Sequence, residues 1–207
     1  MKVTEHIFHE FADWIRQKKF PILDRTGEKT IQNELAIFLK QKCPLQTCVE
    51  LEVNCRALTN GAKTTKREID IFWEYEKTRH AIELKFHRDV GSFDLGIFHF
   101  LEDVLFGEEL IAADFESFGA LFITDIDKFY TTPSRNLRPK NPENMELYHR
   151  FRIERCIYGN TRLHTGKFDK SVSLKGRYDL TWHEFSADTK FTFVCISKNS
   201  AVGAPSL

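Results

Sequence analysis

The segment from residue 68 to residue 86, EIDIFWEYEKTRHAIELKF, constrains this chain more than any other. Apolar and polar residues alternate on both sides of Glu76-Lys77, and β-branched and aromatic types dominate. That period of two predicts an antiparallel hairpin of strands Glu68–Tyr75 and Arg79–Phe86. An even-numbered loop centred on Glu76-Lys77 sets the register. Asp70 then lies opposite Glu83, Phe72 opposite Ala81, and Glu74 opposite Arg79. Asp70, Glu83 and Lys85 share one face. Ile69, Ile71, Trp73, Ile82, Leu84 and Phe86 share the other with His80, and that face should bury against a helix.

Two opposed carboxylates repel, which destabilises a hairpin by a few tenths to about 1 kcal/mol. A hard divalent cation would offset the repulsion, because carboxylate and carbonyl oxygens are its ordinary ligands. The expected site is Mg²⁺ or Mn²⁺ on Asp70, Glu83 and the Leu84 carbonyl. Lys85, two residues past Glu83, points to the same side and is expected to contact a phosphate or orient an attacking water. Such a metal activates water for phosphodiester hydrolysis. Asp70, Glu83 and Lys85 are therefore the candidate catalytic residues.

The rest of the chain supplies a frame for this hairpin. Helices are expected over 3–19 and 28–42, each closed by a proline (Pro21, Pro44). A strand follows over Val49–Cys55, and Asn60-Gly61 marks a turn in the loop Arg56–Arg67. Residues 93–112 read as a helix rich in Phe, Leu and Ile, whose aromatic residues are expected in the core. SFGALFIT, residues 117–124, reads as a buried strand. A helix over Glu143–Tyr158 and a hairpin of Tyr178–Phe185 with Lys190–Ser197 complete the pattern. Early antiparallel strands and a crossover helix to a further strand give an α/β chain with a mixed sheet, one domain over 1–207.

At this point the residues resemble the PD-(D/E)XK nuclease superfamily. Asp70 matches the family's Asp on the second strand, although Ile69 stands where the name-giving Pro would be. Glu83-Leu84-Lys85 matches the (D/E)XK element, with twelve residues between Asp70 and Glu83. The αβββαβ order of residues 28–124 is similar to the family core, and residues 125–207 lie outside the likeness. The resemblance implies a restriction-endonuclease-like mixed sheet flanked by helices with a C-terminal hairpin extension. It also implies Glu34, in TIQNELAIFLK, as the helical acid that completes the metal site. The implied activity is metal-dependent hydrolysis of DNA, with a nuclease-fold module that binds nucleic acid or protein without catalysis as the alternative. Cutting both strands of a duplex needs two sites, so a homodimer is expected. The triplet alone is weak: 30 acids and 17 lysines in 207 residues give about 2.5 acid-x-Lys triplets by chance. Its weight comes from the strand context. The other triplet, Asp188-Thr189-Lys190, falls in a predicted turn.

Charge narrows the partner. Lys+Arg and Asp+Glu both number 30, which argues against indiscriminate coating of nucleic acid. The distribution is uneven. Residues 101–116 hold Glu102, Asp103, Glu108, Glu109, Asp114 and Glu116 and no Lys or Arg, as expected of a helix that faces away from DNA. Basic segments lie at 56–67 (Arg56, Lys63, Lys66, Arg67), at 128–140 (Lys128, Arg135, Arg138, Lys140) and at 160–177. Loops of this kind suit phosphate contacts, and Lys63, Lys66, Arg67, Arg135, Arg138 and Lys140 are the expected nucleic-acid ligands. His87 shares the Lys85 face but reads as a surface histidine. The five cysteines show no CxxC pair and are expected as reduced thiols. No window approaches 18 apolar residues, and the first nineteen residues lack a signal-peptide core, so the expected setting is the cytoplasm, away from membrane.

Overall fold

The computed structural model describes residues 2–18, 27–45, 47–88, 92–131, 141–165 and 169–198. Helices α1 (Glu5–Gln17) and α2 (Glu28–Lys42) precede strands β1 (Cys48–Asn54), β2 (Glu68–Tyr75) and β3 (Thr78–His87). Helix α3 (Phe93–Ala112) leads to β4 (Ser117–Thr124). A short helix α4 (Met145–His149) runs into a π turn, Arg150–Glu154. Strands β5 (Cys156–His164), β6 (Asp169–Asp179), β7 (His183–Ser186) and β8 (Thr189–Ser197) follow.

Six strands form one mixed sheet in the order β1-β2-β3-β4-β8-β7, while β5 and β6 form a separate two-stranded ribbon. Among the described residues, only β3 and β4 pair in parallel. A parallel neighbour requires a crossover, and α3 supplies it. The β2–β3 register is the predicted one, with Phe72 opposite Ala81 and Glu74 opposite Arg79. Glu76 and Lys77 have φ of 49° and 65°. Two left-handed residues make a primed turn, whose twist suits a two-residue hairpin.

Both faces of the sheet are covered. Ile71, Trp73, Ile82, Leu84 and Phe86 pack beneath α1 and α2, as their alternation requires. Ile69 departs from that set and packs in the core on the other side, with Phe72 and Ala81. That second core surrounds α3, which is apolar nearly all round. Phe98, Phe100 and Phe106 are fully buried there. The sheet lies on one side of α3, and ribbon residues Leu163, Val172 and Leu174 join the same cluster. Gly107 permits the approach to β4, since a Cβ there would meet the Phe118 ring at 2.1 Å.

Four expectations change. The helix predicted to reach Tyr158 stops at Glu154, where Arg155 turns left-handed (φ 51°). Cys156-Ile157-Tyr158 then follow their β preference. The strand predicted over Tyr178–Phe185 is divided between β6 and β7, because the chain leaves the ribbon at Leu180 and enters the sheet at His183. The terminal hairpin is no extension: β8 pairs along all of β4, from Ser117↔Ser197 to Thr124↔Lys190. The ribbon itself replaces a loop expected over 160–177.

His80 supplies a measurable consequence of this packing. Its ring is 1% exposed, stacks on Trp73 with centroids 5.2 Å apart, and its Nδ1 lies 2.8 Å from Ser117 Oγ. Burial pushes its pKa down to about 4. The unfolded chain binds a proton at pH below 6.5, while the folded chain refuses it until about pH 4. Stability is therefore expected to fall by about 3 kcal/mol as pH drops from 7 to 4 on account of this residue alone. Urea denaturation of wild type and His80→Asn across that range checks it. An equal pH slope in both proteins would refute the assignment.

Candidate active site

The sheet opens at Asp70. The β1–β2 ladder pairs Leu51 with Ile71 and Val53 with Ile69, but leaves out Glu52 and Asp70. Glu52 is left-handed there, with φ of 55°. The β2–β3 ladder likewise ends at Ile71↔Ile82, one pair short of Asp70 and Glu83. Side chains satisfy the freed backbone instead. The Asp70 N–H donates to Glu83 Oε1 at 3.0 Å, and the Asp70 carbonyl accepts from Gln32 Nε2 at 2.7 Å. The Leu84 N–H donates to Asp70 Oδ2 at 2.8 Å. A non-glycine residue in the left-handed region beside a broken ladder is a local rule violation of the kind that clusters at functional sites.

Asp70, Glu83 and Lys85 come together as the hairpin predicts, but not on a solvated face. Glu83 is fully buried. Its Oε2 is held by the Lys66 ammonium, which also donates to Asp103 Oδ1 at 2.7 Å. Lys66 comes from the β1–β2 loop and the buried Asp103 from the middle of α3. Lys85 Nζ lies 3.2 Å from Glu28, and the Glu28 Oε2 accepts the Phe86 N–H at 2.9 Å. Glu28 begins α2, and Gln32 lies one turn further along the same helix.

Four carboxyls thus face two ammoniums: Glu28, Asp70, Glu83 and Asp103 against Lys66 and Lys85. Burial alone would discharge Lys66, but Asp103 and Glu83 reverse this and raise its pKa. Lys66 therefore stays cationic. Burial also pushes Glu83, Asp103 and Asp70 upward, against the pull of Lys66. His99, on α3, is pushed down by burial and by Lys85, Lys170 and Lys66. Two partly exposed lysines, Lys66 and Lys85, thus form a cationic rim beside buried Glu83 and Asp103.

Several expected residues fall elsewhere. Glu34 pairs with Lys18 at 3.0 Å. It sits two residues past Gln32, about 200° further round the helix, so it cannot share the face that meets β3. Glu28, at the start of the same helix, is the acid that meets Lys85. Lys66 is turned inward, while Arg56, Lys63 and Arg67 of the same loop are exposed. Arg135, Arg138 and Lys140 lie outside the described residues. His87 is packed: its ring lies over Gly96 and makes an edge contact with Phe129 at 5.2 Å. The acidic stretch meets basic segments of the chain. Asp103 holds Lys66, Glu109 accepts from the Thr65 N–H and hydroxyl at 2.5 and 2.6 Å, and Glu102 lies 3.8 Å from Lys170. These acids anchor two of the basic segments.

Asp103 had a sequence signal, a lone acid three residues from both Phe100 and Phe106 on a buried helical face. Lys66 and Gln32 had none. All five thiols are free. Among the described residues no three His, Cys, Asp or Glu side chains are arranged to hold a metal ion, and no helix is long and apolar enough to cross a membrane. No family model, curated protein or solved structure was found to match this chain.

Proposed function

We propose that this protein is a divalent-metal-dependent nuclease of restriction-endonuclease-like fold that hydrolyses DNA phosphodiester bonds. The observation that carries the reading is the opening of the sheet at Asp70, where backbone pairing is given up to set Asp70 against the buried Glu83 beside Lys85. The order β1-β2-β3, the crossover α3 and the parallel β4 are consistent with it.

The donor chemistry suits Mg²⁺ or Mn²⁺. The carboxylates of Asp70 and Glu83 and the Leu84 carbonyl are hard oxygen ligands. Four carboxyls outnumber the two ammoniums, and a divalent cation would hold the buried acids in their ionised form. When bound, the ion lowers the pKa of water and neutralises charge on the phosphoryl oxygens. The other roles belong to the chain. Glu28 fixes the Lys85 ammonium, which hydrogen-bonds the attacking water or a non-bridging phosphate oxygen. Leu84 N–H and Gln32 hold Asp70 in place from both sides. The cationic rim draws in the phosphate backbone. Cleavage of both strands would take two copies of the chain.

The test is duplex DNA incubated with protein and Mg²⁺. Lys85→Met is expected to lose on the order of 10²-fold in rate. Wild-type cleavage by Lys85→Met would refute the site. A second reading, a nucleic-acid-binding module without catalysis, is favoured by one observation: Lys66 already supplies a cation to Glu83 and Asp103. Calorimetric titration with Mn²⁺ separates the two. The nuclease reading requires binding that Glu83→Ala abolishes.

A further inference from the structure

The β5–β6 ribbon has an outward face that the carboxylate site does not use. Strand alternation turns Thr161, Leu163, Val172 and Leu174 inward onto α3, where they are buried. It turns Asn160, Arg162, Ser171, Ser173, Lys175 and Arg177 outward, and all six are exposed. Arg162 pairs across from Ser171, and Asn160 from Ser173. From Tyr158 to Leu163 and from Lys170 to Tyr178 there is no acid. Asp169 and Asp179 lie only at the ends of β6.

The ribbon is anchored from two sides. Its ladder passes from Gly159↔Leu174 to Tyr158↔Arg177, which leaves Lys175 and Gly176 without cross-strand partners. Their N–H groups donate instead to the buried Glu108, at 2.9 and 2.7 Å, and Tyr178 donates its hydroxyl to the same carboxylate at 2.9 Å. Arg150 ties β5 from the other side, donating to the Asn160 carbonyl and the Thr161 hydroxyl at 3.0 Å each. A bulge held in this way bends the strand and re-aims the side chains beyond it. The Lys170 end of the ribbon meets α3 at Glu102, 3.8 Å away and next in sequence to the Asp103 of the carboxylate site.

We propose that this ribbon is the duplex-reading element of the protein and enters the major groove of DNA. The proposal deepens the nuclease reading and rests on it for the choice of DNA as partner. A two-stranded ribbon fits a groove about 12 Å wide, whereas the deep, narrow major groove of A-form RNA excludes side chains. Nine residues of β5 span about 30 Å, close to one helical turn of the duplex. Asn160 and Arg162 are the side-chain types that pair bidentately with adenine and guanine, and their place at the centre of the exposed face suits base contact. Lys175 and Arg177 would take phosphates.

The experiment measures binding of a mixed-sequence 20-base-pair DNA by fluorescence anisotropy in EDTA, which separates binding from cleavage. Charge reversal in Arg162→Glu/Lys175→Glu is expected to weaken binding at least tenfold. Lys175→Ala and Arg177→Ala should each lower the slope of log K against log salt by about 0.9. Thermal melts should match wild type, because the replaced side chains are exposed. DNA binding by the double variant within twofold of wild type overturns the ribbon while leaving the nuclease reading intact. Loss of binding in the double variant, with a wild type that binds DNA and never cleaves it, supports the ribbon and overturns the nuclease. Tighter binding of duplex RNA than of DNA, or no duplex binding at all, overturns the proposal.

Discussion

Asp70→Asn is expected to lower Mg²⁺-dependent DNA cleavage by on the order of 10²–10³-fold, with Glu28→Gln close behind and Glu34→Gln within twofold of wild type. The ranking follows from which groups the open sheet brings together. Asp70 contributes a carboxylate whose Oδ2 is fixed by Leu84 and whose backbone is tied to Glu83 and Gln32. Replacing an oxygen by an amide nitrogen removes a hard anionic ligand and disturbs the Leu84 contact. Glu28 acts one step away. It holds the Lys85 ammonium at 3.2 Å and accepts the Phe86 N–H, so its loss frees Lys85 to rotate away from the reacting phosphate. Glu34 lies on another face of α2 and meets Lys18. The three variants assayed on one DNA at saturating Mg²⁺ decide the matter. Equal losses at Glu34 and Glu28 would return Glu34 to the site and displace the geometry argued here.

Lys66→Met has the largest expected effect on stability, a loss of about 3–5 kcal/mol at neutral pH. Lys66 is the cation that meets both Glu83 and Asp103, and those two carboxyls are 0% and 3% exposed. Removing it leaves two buried acids beside each other without a countercharge. They respond by taking up protons, as unpaired buried carboxylates do. The unfolded chain holds these acids ionised above about pH 4.5, so in the variant folding takes up protons and stability falls as pH rises. The gap between variant and wild type should therefore be wide at pH 8 and narrow toward pH 5. Urea denaturation at both pH values measures it. A gap independent of pH would mean that Lys66 contributes packing rather than charge. Adding Glu83→Gln to Lys66→Met should recover part of the loss, since one of the two stranded charges is gone.

The sequence by itself determined the hairpin at the centre of this protein. Alternation over residues 68–86 dictated the strands, the loop length dictated the register, and the two together set Asp70, Glu83 and Lys85 on one face. These are local properties, carried by neighbours in the chain and by the pleat. Helix α3 and strand β4 were legible for the same reason. What tertiary structure decided was which charges meet. Lys66 reaches Glu83 across 17 positions, Asp103 reaches Lys66 across 37, and Glu28 reaches Lys85 across 57. No periodicity encodes such pairs, and composition alone sent Lys66 to solvent and the acids of α3 away from the site. The ribbon was lost for a related reason. Its exposed face is so polar that residues 160–177 read as a basic loop, and its strands are held by contacts with α3 that only the folded chain supplies. A charge is read from the sequence as solvated, and only packing can show that it is buried with a partner.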